Sequence, residues 1–134
     1  MASLESQELE VERANELFYR TFESLDIHEM ERLWATDRPV KCIHPGWALL
    51  SGWPAVRDSW VRIFNHTSRI RFEVADVDVG VVGDIAWVTC SERISTTVDG
   101  EPQSSRVLAT NIFLRGGSGW RMIHHHGSPV FTGP

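Results

Sequence analysis

The hydrophobic period of this chain changes once, near Ser68, and that change limits the folds open to it. Before it, apolar residues recur at helical spacing; after it they alternate residue by residue almost to the end. Helices first and strands last give an α+β plan, in which the helices cover one face of a sheet. At 134 residues the chain is expected to form one domain over residues 1–134.

Residues 4–25 place Leu9, Ala14, Leu17, Phe18, Phe22 and Leu25 near one helical face, with Ser3 or Ser6 available as a cap. Asp26 followed by Glu29 has the spacing of a capping box, with Asp in place of Ser or Thr, and starts a second short helix. That helix stops before Asp37-Arg38-Pro39, because a residue preceding proline is pushed out of helical geometry. Pro54 stands in the first turn of a third helix, whose buried stripe is Trp53, Val56, Trp60, Ile63 and Phe64. Strands are expected at about 69–79, 84–97, 103–115 and 119–128. Turns at Val82-Gly83-Asp84, Asp99-Gly100 and residues 116–119 join them into an antiparallel meander. These strands are apolar on both parities: Leu108, Ile112 and Leu114 against Val107, Ala109 and Phe113. A sheet covered on one side only should be polar on the other, so a homodimer is expected across the second face.

Composition excludes several partners. The net charge is −5 with no basic block, which disfavours nucleic acid. No apolar run reaches the ~18 residues of a membrane span, and the acidic N-terminus is unlike a signal peptide. Cys42 and Cys90 sit in apolar surroundings and read as buried thiols of a reducing, cytoplasmic compartment. Six tryptophans suit an aromatic-lined apolar cavity as well as a core.

Between the second and third helices, residues 40–47 form a short strand-like run that ends in His44, turns at Pro45-Gly46 and resumes on Trp47. An imidazole titrates near neutral pH, and a strand end is a good place for a base at a pocket mouth; a core histidine bonded to a carbonyl is the alternative. Asn111 is unusual within a strand and must find partners if buried. It reads either as a donor to a carbonyl or enolate oxygen or as part of a structural network. In the run His124-His125-His126, a four-residue loop at 116–119 pairs Arg115 with Trp120 and puts His124 opposite Asn111; a slip of one residue would bring His125 there instead. The first register is preferred, since Trp120, Met122 and His124 then share a face with Phe113 and Asn111. No Asp or Glu completes a familiar metal spacing around His44, His124 and His126, so neither metal nor cofactor is expected. Glu92 shares a parity with Ala86, Val88 and Cys90, and reads as lying near an exposed strand end rather than as a second acid–base group. Trp47 and Trp60 flank the expected cavity.

The element order, the Gly52-Trp53-Pro54-Ala55 helix start, the "IHPGW" stretch and the closing Trp120 to Ser128 strand carry a resemblance. From about residue 9 to 128, the core of the domain, the chain resembles the nuclear-transport-factor-2-like superfamily. Within it the chain looks like the SnoaL-like proteins, kin to ketosteroid isomerases, polyketide cyclases and the calcium/calmodulin-dependent kinase association domain. The resemblance implies a cone-shaped α+β barrel, with three N-terminal helices packed on a curved antiparallel sheet. It places His44 at the isomerases' general-base position and Asn111 where they hold a protonated aspartate. Phe18 stands where they have the oxyanion-hole tyrosine, while Tyr19 next door should point about 100° away. The arginines of the kinase association domain are replaced by Asn111 and Gly127, which turns the reading away from an acidic ligand. The functional expectation is a small apolar or carbonyl-bearing molecule bound among Phe18, Trp47, Trp60 and Phe113. His44 would move a proton and Asn111 would stabilise an oxyanion, assisted by His124. The alternative is a non-catalytic dimerisation or ligand-binding module.

Overall fold

The computed structural model describes residues 3–131. Helices α1 (Leu4–Ser24), α2 (Ile27–Leu33) and α3 (Trp53–His66) pack on one face of a curled six-stranded sheet. Its strands are β1 (Lys41–Ile43), β2 (Leu50–Ser51), β3 (Thr67–Val82), β4 (Ile85–Val98), β5 (Glu101–Gly116) and β6 (Gly119–Pro129). They lie in the order β2-β1-β6-β5-β4-β3. The change of period near Ser68 is thus the junction of α3 and β3. β3 to β6 form the antiparallel meander, but β1 joins it parallel to β6, so the sheet is mixed.

The helix ends follow their capping chemistry. Ser3 Oγ accepts from the Ser6 N–H, and the Asp26 carboxylate accepts from the N–H groups of His28 and Glu29. The face that α1 buries differs from the expected one. Leu9 and Leu17 are 47% and 52% exposed, while Val11, Asn15, Phe18, Tyr19, Thr21 and Phe22 are buried. The buried stripe is rotated because it admits Asn15 and Tyr19, whose polar ends find partners inside the protein.

Trp60 stands at the centre of the core. The rings of His44, Phe22, Phe64, Phe18 and Trp34 lie 4.7, 4.8, 5.7, 5.9 and 6.5 Å from it. Aromatic pairs of this kind each add roughly 0.5–1.5 kcal/mol beyond their buried area. Three bulges curl the sheet: two on β3, between Thr67 and Arg69 and between Ala75 and Asp78, and one on β6 opposite Ile112 and Phe113. The sheet face away from the helices keeps Leu108 57% and Trp87 42% exposed. No helix among the described residues is long and apolar enough to cross a membrane, and both cysteines are free and buried.

Candidate functional site

β1 ends in a tight turn: the Trp47 N–H donates to the His44 carbonyl at 2.8 Å, with Pro45 and Gly46 (φ 82°) at its corners. Proline first and a positive-φ glycine second make a type II turn. β6 passes close by, and only a residue without a side chain fits at Gly127, where a Cβ would come within 2.9 Å of Pro45. The turn sends the His44 side chain inward, where it is buried. Its Nε2 lies 2.9 Å from Ser59 Oγ, and Ser59 donates its one hydroxyl proton to the Val56 carbonyl at 2.6 Å. Ser59 therefore accepts from His44 Nε2–H, and Nδ1 carries the imidazole lone pair. Burial lowers the His44 pKa to about 4, so the ring is neutral at pH 7. Trp47 is half-buried with its ring 4.9 Å from that of His44, and the Arg62 guanidinium sits 5.5 Å over it.

A second polar group of the interior is built from four elements. Asn111 on β5 donates from Nδ2 to Asn15 Oδ1 at 2.8 Å and to the Tyr19 hydroxyl at 3.3 Å, both on α1. Its Oδ1 meets His125 Nδ1 of β6 at 2.6 Å. Because that oxygen can only accept, His125 is the Nδ1–H tautomer and Nε2 holds its lone pair. Tyr19 donates to Glu92 Oε2 at 2.5 Å and lies 3.3 Å from Cys90 Sγ, both on β4. Burial and the neighbouring His44, His124 and His126 hold the His125 pKa well below the ordinary imidazole value. Burial raises Glu92 to about 7, against the pull of its Tyr19 hydrogen bond. Burial and the Glu92 charge keep the Tyr19 phenol far above its ordinary pKa, so it stays protonated. The two groups meet through their imidazoles: the rings of His44 and His125 are 6.2 Å apart, and Trp60 touches both.

The structure brings together His44, Phe18, Trp60 and Asn111, with Trp47 at the edge, and moves other expectations. Arg115 does pair with Trp120 and Phe113 with Met122, but Ile123 is then bulged out. The register slips by one, so His125, not His124, faces Asn111. His124 lies opposite Ile112, half-buried, its ring 6.2 Å from His126. Phe113 is buried on the Asn111 face of β5, beside Met122. Tyr19 does not point away: both it and Phe18 enter the core, where the Phe18 ring lies 4.9 Å from His125. Glu92 is only 4% exposed, which reverses the expectation of an exposed strand end. Asn15 and Cys90 complete the group and were missed as site residues. The available signal was the i, i+4 spacing of Val11, Asn15 and Tyr19, one stripe of the helix.

The interior is filled by rings, and the N–H groups of Trp34 and Trp60 are buried without a hydrogen-bond partner. A hollow of about 330 Å³ between α1 and β3 is lined by Asn15, Tyr19, Val74 and Val77 with Glu12, Glu16 and Arg20. Among the described residues, no group of three His, Cys, Asp or Glu side chains is placed to hold a metal ion.

The family model described as a SnoaL-like domain matches residues 11–132. Among solved structures, a provisionally assigned dehydratase of the NTF2-like family from Streptomyces avermitilis is 37% identical. It aligns with a TM-score of 0.91 over 97% of this chain and 100% of that one. A provisionally assigned calcium/calmodulin-dependent protein kinase type II association domain from Thiobacillus denitrificans is 36% identical. Its TM-score is 0.77, over 90% of this chain and 94% of that one. The F-box protein SKIP8 of Arabidopsis thaliana is 36% identical over 114 residues, which is 85% of this chain. The chain spans about half, 47%, of the length of that relative.

Proposed function

The chain belongs to the SnoaL-like domain family, and from that premise we propose that its interior binds a small apolar, carbonyl-bearing molecule and moves a proton on it. The observation that carries this reading is the hydrogen-bonded group centred on Asn111, set in an aromatic core beside a neutral His44. Burying so many polar groups is costly, and an apolar core of the same shape would be at least as stable.

His44 acts as the base through Nδ1, the nitrogen that Ser59 leaves free. Asn111 supplies a donor to the developing oxyanion. Both Nδ2 protons are engaged, and the 3.3 Å bond to Tyr19 is the one that a ligand oxygen would replace. His125, which the bulge sets opposite Asn111, takes the assisting role expected of His124 in this reading. Phe18, Trp60 and Phe113 supply apolar walls, and Trp47 closes the His44 side. The similar dehydratase of the NTF2-like family fits proton-transfer chemistry of this class.

The test is exchange of the α-protons of acetophenone in deuterated buffer, followed by proton NMR. The protein should accelerate exchange, and His44→Ala should remove most of it while the fold persists. Binding without exchange would leave a ligand-binding module.

A second reading rests on a separate observation. Leu108 and Trp87 stand exposed on the open sheet face with Ile85, and the similar kinase association domain is by its name an assembly module. This face joins two copies of the chain in a homodimer. Sedimentation at micromolar concentration should give a dimer that Leu108→Asp dissociates; a monomeric wild type would refute it.

A further inference from the structure

Glu92 has no place in the proton transfer just described, yet it is the buried carboxyl at the end of the Asn111 group. It is anchored by one contact, the Tyr19 hydroxyl at 2.5 Å. The ion pairs among the described residues use Glu23, Glu29, Glu31, Glu73, Asp84 and Asp99, and none reaches Glu92. Its cross-strand neighbours are Val74 on β3 and Val107 on β5. The titratable groups that touch its carboxyl surroundings are Tyr19 from α1 and Cys90 on its own strand, neither of them cationic. Arg93, Arg106, Glu73 and Asp76 line the hollow on whose edge it lies, without pairing with it. A carboxylate in such surroundings is held by a hydroxyl alone, and a carboxylic acid there has a proton of its own to give.

We propose that Glu92 is a positioning residue that sets, through Tyr19, the direction in which the interior hydrogen bonds run. When Glu92 is ionised it can only accept, so the Tyr19 proton is committed to Oε2 and the phenol oxygen accepts from Asn111 Nδ2. When Glu92 takes a proton from solvent it donates to the phenol oxygen. The Tyr19 proton is then released toward Cys90 Sγ, 3.3 Å away, or toward a ligand oxygen beside Asn111. The protonated acid thus adds a second donor, Tyr19, to the one that Asn111 offers. This rests on the reading of Asn111 as a ligand donor. It extends that reading to substrates whose oxygen gains charge, because two donors favour an oxyanion over a neutral carbonyl. Burial brings the Glu92 equilibrium to about pH 7, so both directions are populated near neutrality.

Tyr19 is the single tyrosine of the chain, so one isotope label reports on it. The experiment places ¹³C at the tyrosine ζ carbon and at the glutamate δ carbons, and records both from pH 5 to 9 without ligand. The Tyr19 resonance should show one step, with a midpoint shared by one glutamate carboxyl, and Glu92→Gln should abolish the step. A flat Tyr19 resonance, a step persisting in Glu92→Gln, or differing tyrosine and glutamate midpoints would overturn the proposal. If Glu92→Gln fails to fold, the shared midpoint in the wild type decides. A Tyr19 step without acetophenone exchange would keep the switch and discard the donor reading; exchange without the step would do the reverse.

Discussion

Two histidines lie 6.2 Å apart, ring to ring, in the interior of this protein and are held in opposite ways. His44 is held locally: it donates through Nε2 to Ser59, which is anchored on its own helix, and the Cys42 Sγ of its own strand lies 3.5 Å from the same nitrogen. His125 donates through Nδ1 to an amide that is wired onward through Asn15 and Tyr19 to Glu92. Each anchor leaves the other ring nitrogen with the lone pair, so the pair present different nitrogens. The difference teaches that the His44 end is nearly autonomous. A change at the Asn111 end travels through four secondary-structure elements.

The largest expected effect sharpens this division of labour. His44→Ala should lower acetophenone exchange by roughly 10²–10⁴-fold, the usual contribution of a general base, in the fraction that stays folded. Loss of stability with exchange intact in the folded fraction would make His44 structural instead.

Asn111→Leu tests the opposite end. It leaves the His125 N–H and the Asn15 side-chain oxygen unpaired and should cost about 3 kcal/mol in chemical denaturation. Ser59→Ala, which removes one acceptor from His44, should cost only about 1 kcal/mol. Equal losses would erase the distinction between a wired and an autonomous end.

Glu92 and His44 should also respond to pH with opposite sign. The folded-state pKa of Glu92 is raised to about 7, so the folded protein retains a proton that the unfolded chain has lost. Its contribution is fully present below about pH 4.5 and is lost as pH rises through about 7, of order 3 kcal/mol in total. Glu92→Gln should therefore gain on the wild type as pH goes from 5 to 8. His44 is lowered to about 4, so the unfolded chain takes up the proton first, and stability is lost as pH falls from about 6.5 through 4. His44→Phe should shrink that acid limb, leaving the share of His125 and His124, and leave the alkaline one unchanged.

How much of this was legible beforehand follows the range of the interactions. The three helices and the four long strands are local patterns, and their bounds fall within a few residues of those expected from caps, Pro54 and the glycine turns. The inward turn at His44 was equally local, because Pro45 and Gly46 dictate it. The parallel pairing of β1 with β6 joins residues some eighty positions apart, and no turn residue announces it. The bulge at Ile123 leaves no mark in composition, yet it decides which histidine faces Asn111. Glu92 looked exposed because its partner Tyr19 arrives from 73 residues away on a helix whose apolar letters point elsewhere. A polar residue is recognised as buried only once its partner is known.

The central claim, that a carbonyl-bearing molecule inserts between His44 and the Asn111 group, is tested most directly by the imidazole ¹⁵N resonances. The chain has six histidines, and acetophenone titrated into the wild type should move those of His44 and His125 saturably, leaving the others still. The same titration into Asn111→Leu should leave both unmoved. Resonances of His44 and His125 that stay fixed in the wild type at saturating acetophenone, or motion confined to the other four, would contradict it.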